Sequence, residues 1–291
     1  MPTTGIGLTF PDGFPLVEII GKLREVRGVV AVVLGGSWAA GRARPDSDVD
    51  IGILYRPSTP LDIPAIRQIA ETFNDTPNPV VTELGTWGAW VNGGSWLTIK
   101  GRRADFLYRD LDLLETTIDE CLAGRSRPDF WQQPPYGFHS QIYCAEVQIC
   151  HALHDPDGII PPLKAKVSVY PQALKRNQVN SFVWGSKFTL ENGRKGVRHS
   201  EAYISVGYLV RCVSEMVQAL YALNETYFMN DKYVYRDIAA FTMVPPDFLA
   251  RVGQIVSGGT GPHELAERYA RAAALRDELE ALAGDLYTPR F

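Results

Sequence analysis

The spacing of hydrophobic residues divides the chain into a first half of mixed elements and a second half of helices. In the first half, apolar residues recur every three to four positions over residues 14–27 and 63–73, which predicts two amphipathic helices. Continuous or alternating apolar runs predict strands, because successive strand side chains point to opposite faces. The predicted strands are residues 29–34, 48–54, 96–99 and 103–108. This mixture is typical of an α+β domain built on a mixed sheet.

The second half has helical periodicity almost throughout. The predicted helices are residues 171–191, 200–224, 246–256 and 263–283. Apolar residues surround nearly the whole of the second of these, which places it at the centre of an antiparallel bundle. No strand pattern of comparable strength follows residue 137. The stretch 125–137 is rich in proline and polar residues, as domain boundaries often are. We therefore expect a sheet-containing domain at residues 1–135 and a helical domain at residues 136–291.

Composition and cysteine spacing restrict the class of protein. The 291 residues carry a formal net charge of −4, whereas dedicated nucleic-acid binders are usually basic because they neutralise phosphates. Nucleic acid is therefore not the favoured partner. The one local place to look for RNA contact is the basic run of Arg194, Lys195, Arg198 and His199. The four cysteines match no zinc-binding spacing and are expected to be free thiols in a reducing cytoplasm.

The chain shows no targeting or membrane-spanning pattern. Its apolar runs fall short of the roughly 20 residues that cross a bilayer. The first 14 residues also lack the basic and apolar regions of a secretion signal. We expect a cytoplasmic protein without a membrane partner, and the sequence does not indicate its oligomeric state.

A glycine-rich turn follows the first predicted strand, within the sequence VVLGGSWAAGRARPDSDVDIGIL at residues 32–54. Gly35 and Gly36 lack Cβ atoms, so a ligand can approach the backbone closely there. Ser37 follows at the start of a short helix, where exposed N–H groups and a hydroxyl suit a phosphate. A tight turn with Ser37 as an ordinary N-cap accounts for the same residues. Arg42 and Arg44 in the next loop are either clamps for a triphosphate or solvated loop charges.

Three aspartates complete the chemistry that the sequence indicates. Asp48 and Asp50 stand one residue apart in a predicted strand, so both carboxylates lie on one face while the alternate residues pack into the core. Repulsion between them is relieved by a divalent cation, and carboxylate oxygens are the ligands that Mg²⁺ prefers. Asp105 joins them if its strand is a neighbour, and three carboxylates can hold two metal ions. A solvated acidic edge strand is the alternative.

The joint pattern resembles a known family. GGS, ten further residues, and then Asp48-Val49-Asp50-Ile51 is similar to the signature of the polymerase-β-like nucleotidyltransferase superfamily, with Asp105 as its third aspartate. In layout the chain is similar to small bacterial nucleotidyltransferases with a C-terminal helical domain, including those that inactivate aminoglycosides and lincosamides. The resemblance implies Mg²⁺-dependent transfer of a nucleoside monophosphate from an NTP, expected to be ATP, to a hydroxyl, with release of pyrophosphate.

The resemblance also implies a role for each matched residue. Gly35, Gly36 and Ser37 would bind nucleotide phosphates. Asp48, Asp50 and Asp105 would be ligands of two Mg²⁺ ions, and Asp105 would also accept the proton of the attacking hydroxyl. The resemblance assigns no role to Arg42 and Arg44, which stay either triphosphate clamps or solvated loop charges. Outside the motif, Lys232 and Lys164 are candidates to reach the phosphates from the second half of the chain.

The acceptor is the part that the sequence does not identify. The acidic composition favours a small hydroxylated molecule of the antibiotic type. A tRNA end or a protein hydroxyl is the alternative acceptor, and a non-catalytic nucleotide-sensing module is the alternative function. Residues 87–96, WGAWVNGGSW, form either a wall or lid for the acceptor or a hairpin that packs its indoles on the core. Glu146 either orients the acceptor or forms a salt bridge.

Overall fold

A computed structural model of the chain describes residues 13–132, 135–197 and 201–289. The strands are β1 (Ala31–Leu34), β2 (Val49–Tyr55), β3 (Val80–Val81), β4 (Gly94–Ile99), β5 (Arg102–Asp110), β6 (Pro128–Asp129), β7 (Phe138–His139) and β8 (His151–His154). The α-helices are α1 (Leu16–Leu23), α2 (Gly36–Ala39), α3 (Ile63–Phe73), α4 (Leu111–Leu122), α5 (Ile142–Ile149), α6 (Ile160–Val167), α7 (Gln172–Val197), α8 (Ala202–Leu223), α9 (Val234–Ala240), α10 (Phe248–Val256) and α11 (Pro262–Ala283). Short 3₁₀ turns cover Asp231–Tyr233 and Gly284–Leu286.

The chain separates into two compact units, here called the sheet unit and the helical unit. Among the described residues, the sheet unit comprises residues 13–119 and 143–168, and the rest of the described chain forms the helical unit. The boundary that the sequence predicts, between residues 135 and 136, places residues 143–168 in the helical domain. In the structure these residues group with the sheet. That boundary stays a prediction about independently folding domains.

The sheet unit is built on a six-stranded mixed sheet in the order β3-β4-β5-β2-β1-β8. The pairing of β2 with β5 is parallel, and the other pairings are antiparallel. On one face, Val49, Ile51 and Ile53 of β2 are fully buried in the core. The buried faces of α1 and α3 cover this side of the sheet and belong to the same hydrophobic cluster. The opposite face of β2 carries Asp50 and Gly52.

The helical unit contains the long helices that the sequence predicts. Helices α7 and α8 pack along each other, and α10 and α11 pack against them. Every residue from Met216 to Leu223 of α8 is buried, so this part of the helix is enclosed on all sides, as expected for a central helix. The mixed sheet followed by a helical region confirms the α+β fold. Ser200, Arg198 and His199 lie outside the described residues. Within the described part of the chain, no helix combines the length and apolar character needed to cross a bilayer.

Short strands follow residue 137, in a region where the sequence shows no strand pattern as strong as those of the first half. The segment His151–His154 pairs with β1 and extends the main sheet, and Phe138–His139 pairs with Pro128–Asp129 in a short hairpin. These segments have two to four residues, which is too short to show a period-2 pattern. Their strand conformation comes from partners distant in sequence, so local propensity does not reveal it.

Candidate functional site

The glycine turn packs directly on Asp50. The Gly35 N–H donates to the Asp50 carbonyl at 2.9 Å, and α2 begins at the next residue. Gly36 has a φ of +59°, and a Cβ atom at this position would lie 1.7 Å from Asp50 Oδ2. Only glycine fits both the left-handed backbone and the close approach of the carboxylate. The turn and the carboxylate are therefore a single packed feature, with the half-buried Ser37 next in α2.

The register of two strands brings the aspartates to one face of the sheet. In the parallel pairing of β2 with β5, Asp50 and Asp105 are Cα partners. Neighbouring strands are about 4.8 Å apart, and paired residues point to the same face. Asp48 immediately precedes β2, and its Oδ1 lies 2.8 Å from Arg103 Nη2. The Asp48 side chain is 25% exposed and that of Arg103 is 71% exposed, so this ion pair is screened by solvent.

The three carboxylates fit a divalent cation in chemistry but are not arranged as a formed metal site. Carboxylates supply only oxygen donors, as Mg²⁺ requires. Across the described residues, no group of three or more His, Cys, Asp or Glu side chains is positioned to hold a metal ion. One reason why the three carboxylates do not form such a group is that the Asp48 carboxylate faces the guanidinium of Arg103. A cation that binds Asp48 through Oδ1 would compete with Arg103 for that oxygen.

An open cavity of about 310 Å³ lies over this face. It is lined by Asp48, Trp96, Leu97, Thr98, Arg103 and Asp105. Trp96 is 57% exposed and stacks on Trp87, with ring centroids 4.7 Å apart. Strands β3 and β4 do form a hairpin around residues 82–93, but Trp96 points outward. For Trp96, the structure thus excludes the alternative in which the hairpin packs its indoles on the core.

Arg109 is a residue near the site that sequence reasoning missed. Its Nε and Nη2 atoms donate to the two carboxylate oxygens of Glu146 at 3.0 and 2.8 Å, and its side chain is only 8% exposed. Burial lowers the pKa of Arg109, but the Glu146 carboxylate, with a smaller contribution from Asp50, raises it above its ordinary value. A fixed positive charge therefore lies close enough to Asp50 to interact with it. The sequence could have indicated Arg109, because side chains alternate along β5 and this alternation places Arg109 on the same face as Asp105.

The loop between α2 and β2 carries two arginines that the sequence gives as candidates for binding the triphosphate. Arg42 and Arg44 are exposed in the loop after α2. Arg102 fixes the end of that loop by donating to the carbonyls of Pro45 and Ser47 at 2.8 and 3.0 Å. The structure therefore assigns loop anchoring to Arg102, which the sequence did not single out.

The two lysine candidates differ in their contacts. Lys164 Nζ donates to the carbonyls of Val147, Gln148 and Cys150 at 2.7 to 3.2 Å. It therefore caps the C-terminal end of α5, and the expectation that it reaches for phosphates is wrong. Capping of this kind satisfies carbonyls that the helix leaves unpaired. Lys232 is exposed in the 3₁₀ turn Asp231–Tyr233 of the helical unit.

Comparisons with known proteins identify the domain that contains this site. Residues 16–119 match the family model of the nucleotidyltransferase domain, a range that includes the glycine turn and all three aspartates. The comparison with curated proteins found no match. Among solved structures, a nucleotidyltransferase-like protein from Exiguobacterium sibiricum 255-15 is similar to this chain at 8% identity and a TM-score of 0.45, covering 94% of this chain and 75% of that chain. The protein is a transferase whose residues 16–119 form a nucleotidyltransferase domain of the polymerase-β-like superfamily.

Proposed function

We propose that the protein transfers a nucleoside monophosphate from Mg²⁺-bound ATP or another NTP to a hydroxyl of a small-molecule acceptor. The observation that carries this proposal is the β2–β5 register, which makes Asp50 and Asp105 neighbours on an open sheet face. The packing of Gly36 against Asp50 supports it, because the turn and the carboxylates are then held in a fixed relation. Fixed positioning of reacting groups is a large part of catalysis in such reactions.

The residues of the site have separable roles in this proposal. Asp48, Asp50 and Asp105 hold the cation, and Asp105 also accepts the proton of the acceptor hydroxyl. Mg²⁺, when bound, neutralises phosphate charge and stabilises the leaving pyrophosphate. The backbone N–H of Gly36 and the Ser37 hydroxyl bind the terminal phosphates, and Gly35, whose N–H donates to the Asp50 carbonyl, fixes the turn beside them. The acceptor oxygen forms a bond to the α-phosphorus as the bond between the α-phosphorus and the bridging oxygen breaks, and that oxygen leaves with pyrophosphate.

The proposal favours a small acceptor for two reasons. The net charge of −4 gives no general attraction for nucleic acid. The cavity of about 310 Å³ beside Asp105 is at the lower end of the roughly 300–1,000 Å³ typical of small-molecule sites. A tRNA end or a protein hydroxyl remains the alternative acceptor, and the same assay separates the three.

Label transfer tests the proposal directly. The protein is incubated with each α-labelled NTP, Mg²⁺ and one acceptor pool at a time: an aminoglycoside panel, a small-molecule extract, total tRNA, or a protein extract. We expect label to move to a small-molecule product, and Asp50→Asn and Asp105→Asn to reduce the rate at least 10²-fold. Asp157→Asn, which changes an exposed carboxylate between β8 and α6, is the matched control and should keep full activity.

Three results would contradict the proposal in different ways. Label that moves only to tRNA or to protein would replace the acceptor class while retaining the chemistry. Binding of Mg²⁺–NTP without transfer to any pool would favour the nucleotide-sensing alternative. Equal transfer by the wild type and by both site variants would place the chemistry outside these aspartates.

A further inference from the structure

The edge of the candidate site carries an exposed aromatic pair to which the proposed reaction gives no role. Trp96 and Trp87 stack with ring planes 22° apart, and Trp96 exposes more than half of its surface. Along β4, Leu97 and Ile99 are buried in the core, so alternation turns Trp96 and Thr98 outward. Large apolar groups that a fold leaves exposed beside a cavity often mark a binding site.

The strand order places this tryptophan pair on the side of Asp105 that is away from the glycine turn. Across the sheet, β1 leads into the glycine turn, β2 carries Asp50, β5 carries Asp105, and β4 carries Trp96. Trp96 is the Cα partner of Asp105, which in turn is the Cα partner of Asp50. In the proposed function the nucleotide phosphates lie at the turn. A ligand on the far side of Asp105 is then the acceptor.

The lining of the cavity indicates the chemistry of that ligand. The indole of Trp96 offers a flat apolar surface, whereas the Thr98 hydroxyl and the Arg103 guanidinium offer hydrogen-bonding groups beside it. This combination suits a ring with an apolar C–H face and polar substituents at its rim. The cavity is open, so its volume of about 310 Å³ takes one such ring while the rest of a larger ligand lies outside it.

We propose that the Trp87–Trp96 pair is the acceptor subsite and takes a polyhydroxylated ring, a saccharide or cyclitol, on the face of Trp96. One hydroxyl of the bound ring then lies at Asp105. This inference rests on the proposed function for its assignment to the acceptor, but it makes a claim about binding that can be measured without turnover.

Calorimetric titration of the full chain in the absence of NTP tests the subsite. The probe is kanamycin A, whose rings are polyhydroxylated, and the trinucleotide CCA serves as a nucleobase-bearing competitor. We expect saturable binding of kanamycin A that Trp96→Thr weakens roughly 10-fold or more, because the stacking surface is lost. Threonine keeps the β propensity of the strand, so the variant should fold. Trp96→Phe keeps an aromatic face and should stay within about threefold of the wild type.

A second tryptophan supplies the control. Trp131 is 98% exposed in the helical unit, so Trp131→Ala should leave kanamycin A affinity unchanged. The subsite is refuted if kanamycin A does not bind saturably, if Trp96→Thr binds it as tightly as the wild type, or if only CCA binding depends on Trp96. Because the titration contains no NTP, loss of the subsite leaves the label-transfer result intact. Conversely, failed label transfer in the presence of Trp96-dependent ring binding would overturn the chemistry alone.

Discussion

Replacing Gly36 by alanine tests whether the glycine turn and the Asp50 carboxylate act as one unit. The alanine Cβ would lie 1.7 Å from Asp50 Oδ2, and real Cβ contacts are essentially never shorter than 3.0 Å. The carboxylate or the turn must therefore shift by about 1 Å or more. A displacement of about 1 Å in a reacting constellation can cost about 10²-fold in rate. We expect Gly36→Ala to lose about that much in label transfer and to weaken Mg²⁺–ATP binding.

Gly41 provides a matched control for the backbone cost. Its φ is +65°, close to the +59° of Gly36, but a Cβ atom there has nothing within 4 Å. Each alanine replacement adds about 1–2 kcal/mol of left-handed strain, so Gly41→Ala should show this cost alone, and Gly36→Ala should lose further thermal stability through its contact with Asp50. Only Gly36→Ala should lose activity beyond that. Equal label transfer by Gly36→Ala and Gly41→Ala, at protein concentrations corrected for folding, would refute the reasoning.

Three further predictions concern charges in the described structure. Arg103→Gln removes the competitor for Asp48 and should tighten Mn²⁺ binding, measured by electron paramagnetic resonance; unchanged affinity would show that the ion pair does not compete. Arg109→Met leaves the partly buried Glu146 carboxylate unpaired and should cost about 3 kcal/mol in urea unfolding, whereas adding Glu146→Gln should recover part of that loss. Burial lowers the pKa of His139 to about 4 from 6.5, so the folded state disfavours its protonation. Stability should therefore be full above pH 6.5 and fall by up to ~3 kcal/mol as the pH drops towards 4, a slope that His139→Leu should flatten.

The core of the site was predictable because its determinants are local. Asp48 and Asp50 alternate with buried Val49 and Ile51, and this period-2 pattern alone assigns the acidic residues and the apolar residues to opposite faces. The glycines of the turn were also visible, since their positions follow directly after an apolar run. What the sequence could not specify is that β5, more than 50 residues later, pairs with β2 in the register that sets Asp105 beside Asp50.

Other features depended on partners that no local pattern reveals. The strand His151–His154 exists because β1 offers an edge on which it pairs. Glu146 was seen as either an acceptor ligand or a salt-bridge partner, and only the fold brings Arg109 to it. Lys164 could have served a distant phosphate on sequence grounds, but its ammonium lies at the end of α5, where unpaired carbonyls bind it. In each case, a contact with a residue distant in sequence determines the role, and the local sequence does not show that contact.

The distribution of arginines explains how the sheet can hold aspartates side by side on one face. Aspartates on neighbouring strands repel each other, and a like-charged pair placed side by side destabilises a sheet. Two arginines of β5 offset this repulsion in different ways. Arg103 is largely exposed and held by a screened ion pair, so its release from Asp48 costs little. Arg109 is buried and held by Glu146, which keeps its charge close enough to Asp50 to interact with it. In the proposed reaction, Mg²⁺ held by Asp48 would compete with the exposed Arg103 for that carboxylate, whereas Arg109 would keep its contact with Glu146.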